Sequence, residues 1–257
     1  MFDTQFPEST AHIDVPPGDK VVLFSDAHYR PGLEPSSAYF ALLDVIIDEK
    51  PSVVIDNGDS MDLPGISRHP RTTWDSEPTL LEEMQEAQYR HNAIELAAHG
   101  ATLYRNIGNH DLRFESKLVE KVPEYAGLHF TRVSDYFPKW AHHYSVTINK
   151  SMIVLHKWKG GLHAAYNNAK GAGISIATGH THRLVSREVR CYSGSAWGVE
   201  CGTLANLDGP QFRYTADTPL DWHPGFVILH VHEQGIYPEL IRVFKDRYLK
   251  DGKWYEI

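Results

Sequence analysis

Val21-Val22-Leu23-Phe24-Ser25-Asp26-Ala27-His28 is a short apolar run that ends, without a break, in an acid and an imidazole. A run of this length, apolar at successive positions, predicts a buried strand. Downstream, Phe40, Leu43, Ile46 and Ile47 recur at helical spacing. They predict a helix from Ser36 to about Lys50, capped by Ser36 or Ser37 and stopped by Pro51. Val53–Ile55 predicts a second buried strand, and the segment from Glu77 to His99 a long helix with Pro78 in its first turn. Thr102–Ile107 reads as a third strand and Leu112–Lys121 as a helix.

The second half changes character. Tyr144–Ile148 and Met152–His156 predict a hairpin turning at Asn149-Lys150-Ser151. A short helix is expected from Leu162 to Lys170, then a buried strand at Ile174–Thr178. Leu184–Cys191, Phe226–His232 and Tyr237–Phe244 read as strands of a more antiparallel region. The order, βαβαβα followed mainly by β, predicts an α/β sandwich with one largely parallel half and one mixed half. No linker or repeat divides the chain, so residues 1–257 are expected to form a single domain.

Composition narrows the function. The chain has 257 residues, 42% hydrophobic and 23% charged, with a formal charge of −8. That balance excludes a disordered or fibrous protein and argues against broad electrostatic binding of nucleic acid, though a local basic groove is compatible with it. Two cysteines, Cys191 and Cys201, are too few for a disulfide framework. With no apolar stretch of membrane-spanning length and no basic, apolar leader at the N-terminus, the expectation is a cytoplasmic protein with free thiols and no membrane partner. The sequence leaves the oligomeric state open.

The 16 histidines are the anomaly. Strand one ends in Asp26 and His28, strand two in Asp59, strand three in Asn109 and His110, the hairpin in His156, and the Ile174–Thr178 strand in His180 and His182. Ligands in α/β folds bind beyond the carboxyl ends of strands, where these residues gather. Alternate residues leaving a strand point to one side, so Asp-x-His and His-x-His can serve one site. Carboxylate, imidazole and amide oxygen together suit divalent Mn, Fe, Zn or Ni. Taken singly, Asp26 and Asp59 would be turn or cap residues, and Asn109 a turn residue. His142-His143, and the pair His230 and His232, read as structural.

Together, Asp26-x-His28, Gly58-Asp59-x-x-Asp62, Gly108-Asn109-His110-Asp111, His156 and Gly179-His180-x-His182 resemble the calcineurin-like metallophosphoesterase superfamily, in the family's order, over residues 26 to 182. His156 is followed by Lys157 and Trp158 where the family often has glycine. The resemblance implies a four-layer sandwich of two mixed β-sheets flanked by helices. It implies two divalent ions, Mn²⁺ foremost with Fe²⁺, Zn²⁺ or Ni²⁺ as alternatives. Asp26, His28 and His182 would hold one; Asn109, His156 and His180 the other; Asp59 would bridge them. The implied reaction is hydrolysis of a phosphoester by hydroxide held between the metals, with His110 as general acid and Asp62 orienting it.

Leu63-Pro64 follow Asp62 where protein serine/threonine phosphatases have Arg-Gly, and the third motif ends in Asp111 where those enzymes have Glu. The chain resembles phosphodiesterase, nuclease and phage-type members instead, which points to phosphodiesters of nucleotides or nucleic acid. A phosphomonoesterase and a catalytically silent binding scaffold are the alternatives. Arg68, His69 and Arg71 are the candidate substrate contacts. Arg113, Lys157, Lys159 and Arg183 each follow a motif and would form a positive mouth if they rim the site.

Overall fold

The computed structural model describes residues 9–68, 76–192, 194–215 and 220–257. In chain order its strands are β1 (Thr10–Ile13), β2 (Lys20–Phe24), β3 (Val53–Asp56), β4 (Thr102–Asn106), β5 (Ala141–His143), β6 (Ser145–Ile148), β7 (Met152–Leu155), β8 (Ser175–Thr178), β9 (Leu184–Cys191), β10 (Gly194–Cys201), β11 (Gly225–His232), β12 (Gly235–Phe244), β13 (Arg247–Lys250) and β14 (Lys253–Glu256). The helices are α1 (Ser37–Glu49), α2 (Leu80–Ala97), α3 (Leu112–Lys121) and α4 (Ala164–Ala172).

The strands form two mixed sheets. The first runs β14-β13-β12-β11-β2-β3-β4-β5 and the second β1-β6-β7-β8-β10-β9. Strands β2, β3, β4 and β5 are parallel, as are β7 and β8. Alternation along β2 shows why the fold layers as it does. Val21 and Leu23 face the second sheet, in a core shared with Val146, Val154 and Ala177. Val22 and Phe24 point the other way, onto Leu42, Ile46 and Met84 of α1 and α2. Helix α4 covers the outer face of the second sheet through Ala169, against Ile176 and Val189. Both faces of both sheets are therefore apolar, and the result is the expected four-layer α/β sandwich.

Local signals set the helix ends. Ser36 caps α1, its Oγ accepting from Tyr39 N, and Lys50 closes it in the left-handed region. Helix α2 starts later than Pro78 predicts, because Thr79 and Glu82 form a reciprocal capping box. Strand β10 occupies a stretch that reads as a glycine- and serine-rich turn. A Cβ at Gly198 would overlap the Ala165 carbonyl, so glycine there lets α4 lie directly on the strand. Cys201 is buried in this strand and Cys191 is partly exposed; both are free thiols. Arg242, Lys245, Arg247, Lys250 and Lys253 make the C-terminal strands basic, and Lys250, buried on β13, pairs with Asp48 and Glu49 of α1. None of the described helices is long and apolar enough to cross a membrane.

Candidate metal centre

The parallel strands β2, β3 and β4 of one sheet and β7 and β8 of the other deliver their carboxyl ends to one cleft. Three groups of ligand-type atoms meet there, the third being His28 with Asp62 and His110. In the first, His182 Nε2 lies 3.3 Å from Asp26 Oδ1 and 3.2 Å from His28 Nε2, with His28 Nε2 3.9 Å from Asp26 Oδ1. In the second, His156 Nε2 lies 3.0 Å from Asp59 Oδ2, and His180 joins them. The ring centroids of His156 and His180 are 5.7 Å apart.

Backbone geometry is unusual at these residues. Asp26, His28, Asp59, His180 and His182 all have positive φ, between 42° and 68°. Each non-glycine residue in the left-handed region costs about 1 kcal/mol or more, and such outliers gather at functional sites. Adjacent glycines make the crowding feasible. A Cβ on Gly108 would overlap the Asp59 carboxylate, and one on Gly179 would overlap Ser25 Oγ and crowd Asp26.

The residues fit a metal. Asn109 Oδ1 is buried with no hydrogen bond among the described residues, and Asp26 Oδ1 and His156 Nε2 are buried against His182 and Asp59 with no well-aligned one. Buried polar atoms are otherwise satisfied in native proteins, so such atoms aimed into one cleft call for a cation. His156 Nδ1 lies 2.7 Å from the Asn57 carbonyl, which accepts its proton and leaves Nε2 for a ligand. Thiolates take no part, and the mixed oxygen and nitrogen donors suit divalent ions of intermediate hardness.

The charges are strongly coupled. Burial alone would raise Asp59, but His156, His110 and His28 together hold its carboxyl far below the usual range. Burial opposes the charged form of His156, yet Asp59 and Asp26 push it up to about 10. His28 is likewise raised against burial, by Asp62, Asp59 and Asp26. His180 goes the other way, lowered to about 4 by burial and then by His156 and Lys157. A divalent ion held by His28 and His156 would displace protons from them, and its affinity would rise with pH.

Beside the cluster, His110 Nδ1 lies 2.6 Å from Asp62 Oδ1. His110 N donates to Asp59 Oδ1 at 2.7 Å, which ties it to the cluster. Arg113 donates from Nη2 to His110 Nε2 at 3.2 Å and from Nη1 to the Asp62 carbonyl. Asp62 also lies 3.6 Å from His28 Nδ1, so it touches the first group as well.

Beneath the site runs a buried network with no clear sequence signal. Arg105, 1% exposed, donates from Nε to Asp56 Oδ2 at 2.9 Å and from Nη2 to Asp111 Oδ1 at 3.0 Å. Asp56 Oδ2 also lies 2.9 Å from His91 Nε2 and accepts from Ser60 at 2.6 Å. Asp111 Oδ2 accepts from Asp59 N at 2.9 Å and Gly108 N at 3.1 Å. The acid ending the third motif thus fixes the backbone that carries Asp59. A ring cover was also unforeseen: Trp222 lies 4.4 Å from His182 and Phe212 5.8 Å from His28, centroid to centroid.

Of the candidate substrate contacts, Arg68 is exposed on the wall of the adjoining cavity. His69 and Arg71 lie outside the described residues. Arg113 and Lys157 line the same cavity. Arg183 does not join a mouth: it is buried and pairs with Glu200 at 3.1 Å, because an interior carboxylate needs a partner. Lys159 lies over the Trp158 ring at 4.7 Å. His230 pairs with Glu239 at 2.8 Å on β11 and β12, apart from the cluster.

No protein-family model matches the chain. It is similar to the Gene 54 protein of Mycobacterium phage L5, 28% identical over 243 residues, covering 84% of this chain and 91% of the relative. The Gene 54 protein of Mycobacterium phage D29 is 27% identical over 235 residues, with the same coverages. Among solved structures, the fold is similar to a single mutant of Vps29 from Entamoeba histolytica, with TM-score 0.46, 15% identity and 93% and 98% of the two chains covered. The nuclease MPE of Pseudomonas putida gives TM-score 0.36 and 13% identity, covering 85% of this chain and 87% of its own.

Proposed function

We propose that the chain is a metal-dependent phosphoester hydrolase of the calcineurin-like type, acting on phosphodiesters of nucleotides or nucleic acid. The observation that carries this reading is the convergence of buried Asp26 Oδ1, Asn109 Oδ1 and His156 Nε2 beside the His110–Asp62 pair. Asp26, His28 and His182 would hold one divalent ion and Asn109, His156 and His180 a second, with Asp59 between; Mn²⁺ fits these donors. When bound, such ions supply Lewis-acid neutralisation of phosphate oxygens and a water of lowered pKa.

The chain's own residues account for the remainder. Asp62 holds Nδ1 of His110 and favours its protonated form, and a substrate oxygen that draws Arg113 away from Nε2 would leave that atom to present a proton to the leaving oxygen. An alkoxide leaves poorly without one. Arg113, which lies against Nε2, sits where an ester oxygen would approach and can bind a non-bridging oxygen. His28 and His182, screened by Phe212 and Trp222, lie on a wall with restricted water access.

A paired assay tests this. Metal-free protein reloaded with Mn²⁺ is given bis-p-nitrophenyl phosphate in one arm and p-nitrophenyl phosphate in the other. Faster cleavage of the diester is expected. Preference for the monoester would reassign the activity to a phosphomonoesterase, and silence on both would leave a binding scaffold.

A further inference from the structure

We infer that the groove beside the metal centre seats the phosphates of a single-stranded nucleic acid, so that the substrate is an oligonucleotide strand and not an isolated phosphate ester. The groove has a volume of about 490 Å³ and opens from Asn109, His110 and His180 onto α3. Arg113, Ser116, Lys117 and Glu120 line it from that helix. These positions recur at i, i+3, i+4 and i+7, so they form one continuous face. Seven residues of helix span about 10 Å. A stacked strand advances about 3.4 Å per nucleotide, so this face reaches roughly three nucleotides beyond the metal end.

The charges along it are available. Lys117 and Lys157 are exposed on the groove wall with Arg68, and no ion pair engages any of the three among the described residues. Lys20, Lys121, Lys139 and Lys250 each pair with a carboxylate, whereas Lys150 and Lys253, outside the groove, are without an ion pair among the described residues, as the groove lysines are. The acid on the lining, Glu120, is 2.6 Å from Lys121. Arg113 is held at the catalytic end by Asp62 and His110. Three cations lining one groove match a chain with repeating charge. The chain as a whole carries −8, so attraction of a polyanion must come from such a local reversal of sign. Ile66 and Leu112 supply an apolar wall for sugar and base.

This rests on the phosphoester reading of the metal centre, but binding tests it without turnover. The full-length His110→Ala chain in Mn²⁺ is titrated against a fluorescein-labelled 12-nucleotide single strand, and anisotropy is followed from 50 to 200 mM salt. Three phosphate contacts predict a log–log salt slope of about −2, at about 0.7 per contact. Adding Lys117→Glu and Lys157→Glu should shrink the slope by about 1.4 and weaken binding of all sequences alike. Lys150→Glu with Lys253→Glu makes the same change in net charge outside the groove and should leave most of the slope. No binding by the parent, an unchanged slope in the groove variant, or an equal loss in the control pair would overturn the assignment. So would displacement of the strand by tripolyphosphate at lower concentration than by unlabelled oligonucleotide. A strand bound with the expected slope but left intact by the Mn²⁺-loaded wild type would instead remove the hydrolase reading and leave the groove.

Discussion

Replacing Arg105 with methionine should damage both stability and metal affinity, for separable reasons. The guanidinium bridges Asp56 and Asp111 at 2.9 and 3.0 Å and lies 4.2 Å from the Phe137 ring centroid. Methionine keeps the packing against that ring but leaves two buried carboxylates without their cation. Breaking a buried pair in this way costs about 3–5 kcal/mol. Asp56 retains Ser60, Gly58 N and His91, and Asp111 retains two backbone donors, so about 3 kcal/mol is expected. The second effect follows from Asp111 Oδ2, which accepts from Asp59 N and Gly108 N. A loosened Asp111 lets Asp59 drift, and loss of such outer support costs about 10–100-fold in metal affinity. Urea unfolding of the metal-free protein measures the first quantity and titration calorimetry with Mn²⁺ the second. Burial would raise Asp56, but His91 and Arg105 hold it well below its ordinary value, so its contribution to stability is present above about pH 4 and lost as pH falls further. The wild type's advantage over the variant should shrink on the same path. A loss below about 1 kcal/mol together with wild-type Mn²⁺ affinity would refute the reasoning.

Four other substitutions have defined outcomes. His110→Ala should keep metal and lose about 10²–10⁴ of turnover on esters with poor leaving groups, with Asp62→Leu reproducing part of that loss; full activity of either on such a substrate removes the acid pair. Asp59→Asn should disrupt both metal positions, and two tightly held ions with normal turnover, measured by elemental analysis and assay, would remove the bridge. Glu83 is buried and its carboxyl is pushed up to about 8 by that burial, against the donating N–H of Leu63. Its unfolded-state value is near 4.5, so its favourable share is complete below that pH and lost as pH rises to about 8. Glu83→Gln should therefore gain on the wild type between pH 5 and 8 in urea unfolding, and parallel curves would contradict this.

Much of the site was legible because buried parallel strands leave a plain trace. Val21–Ser25, Val53–Ile55 and Ile174–Thr178 are apolar on both faces, so the polar residues that end them stand out. The structure brings Asp26, His28, Asp59, His156, His180 and His182 into two neighbouring groups. What escaped reading was non-local. Arg105 lies inside a predicted strand, and nothing nearby in sequence announces that Asp56 will neutralise it. Trp222 and Phe212 reach the histidines from a segment with no motif. Strands β1 and β5 are short, and β10 carries glycines that suggest a turn until α4 is placed on them. Arg183 follows a motif but turns inward because Glu200 is buried behind it.

On the proposed reading the cleft holds two divalent ions for hydrolysis of a phosphodiester. Crystals soaked in Mn²⁺ and measured at the manganese absorption edge test the structural half of that reading most directly. Two anomalous peaks are predicted, one against Asp26, His28 and His182 and one against Asn109, His156 and His180, with Asp59 reaching both. An empty cleft at saturating Mn²⁺, or a peak only at the half-buried His230–Glu239 pair, would contradict a two-metal site there.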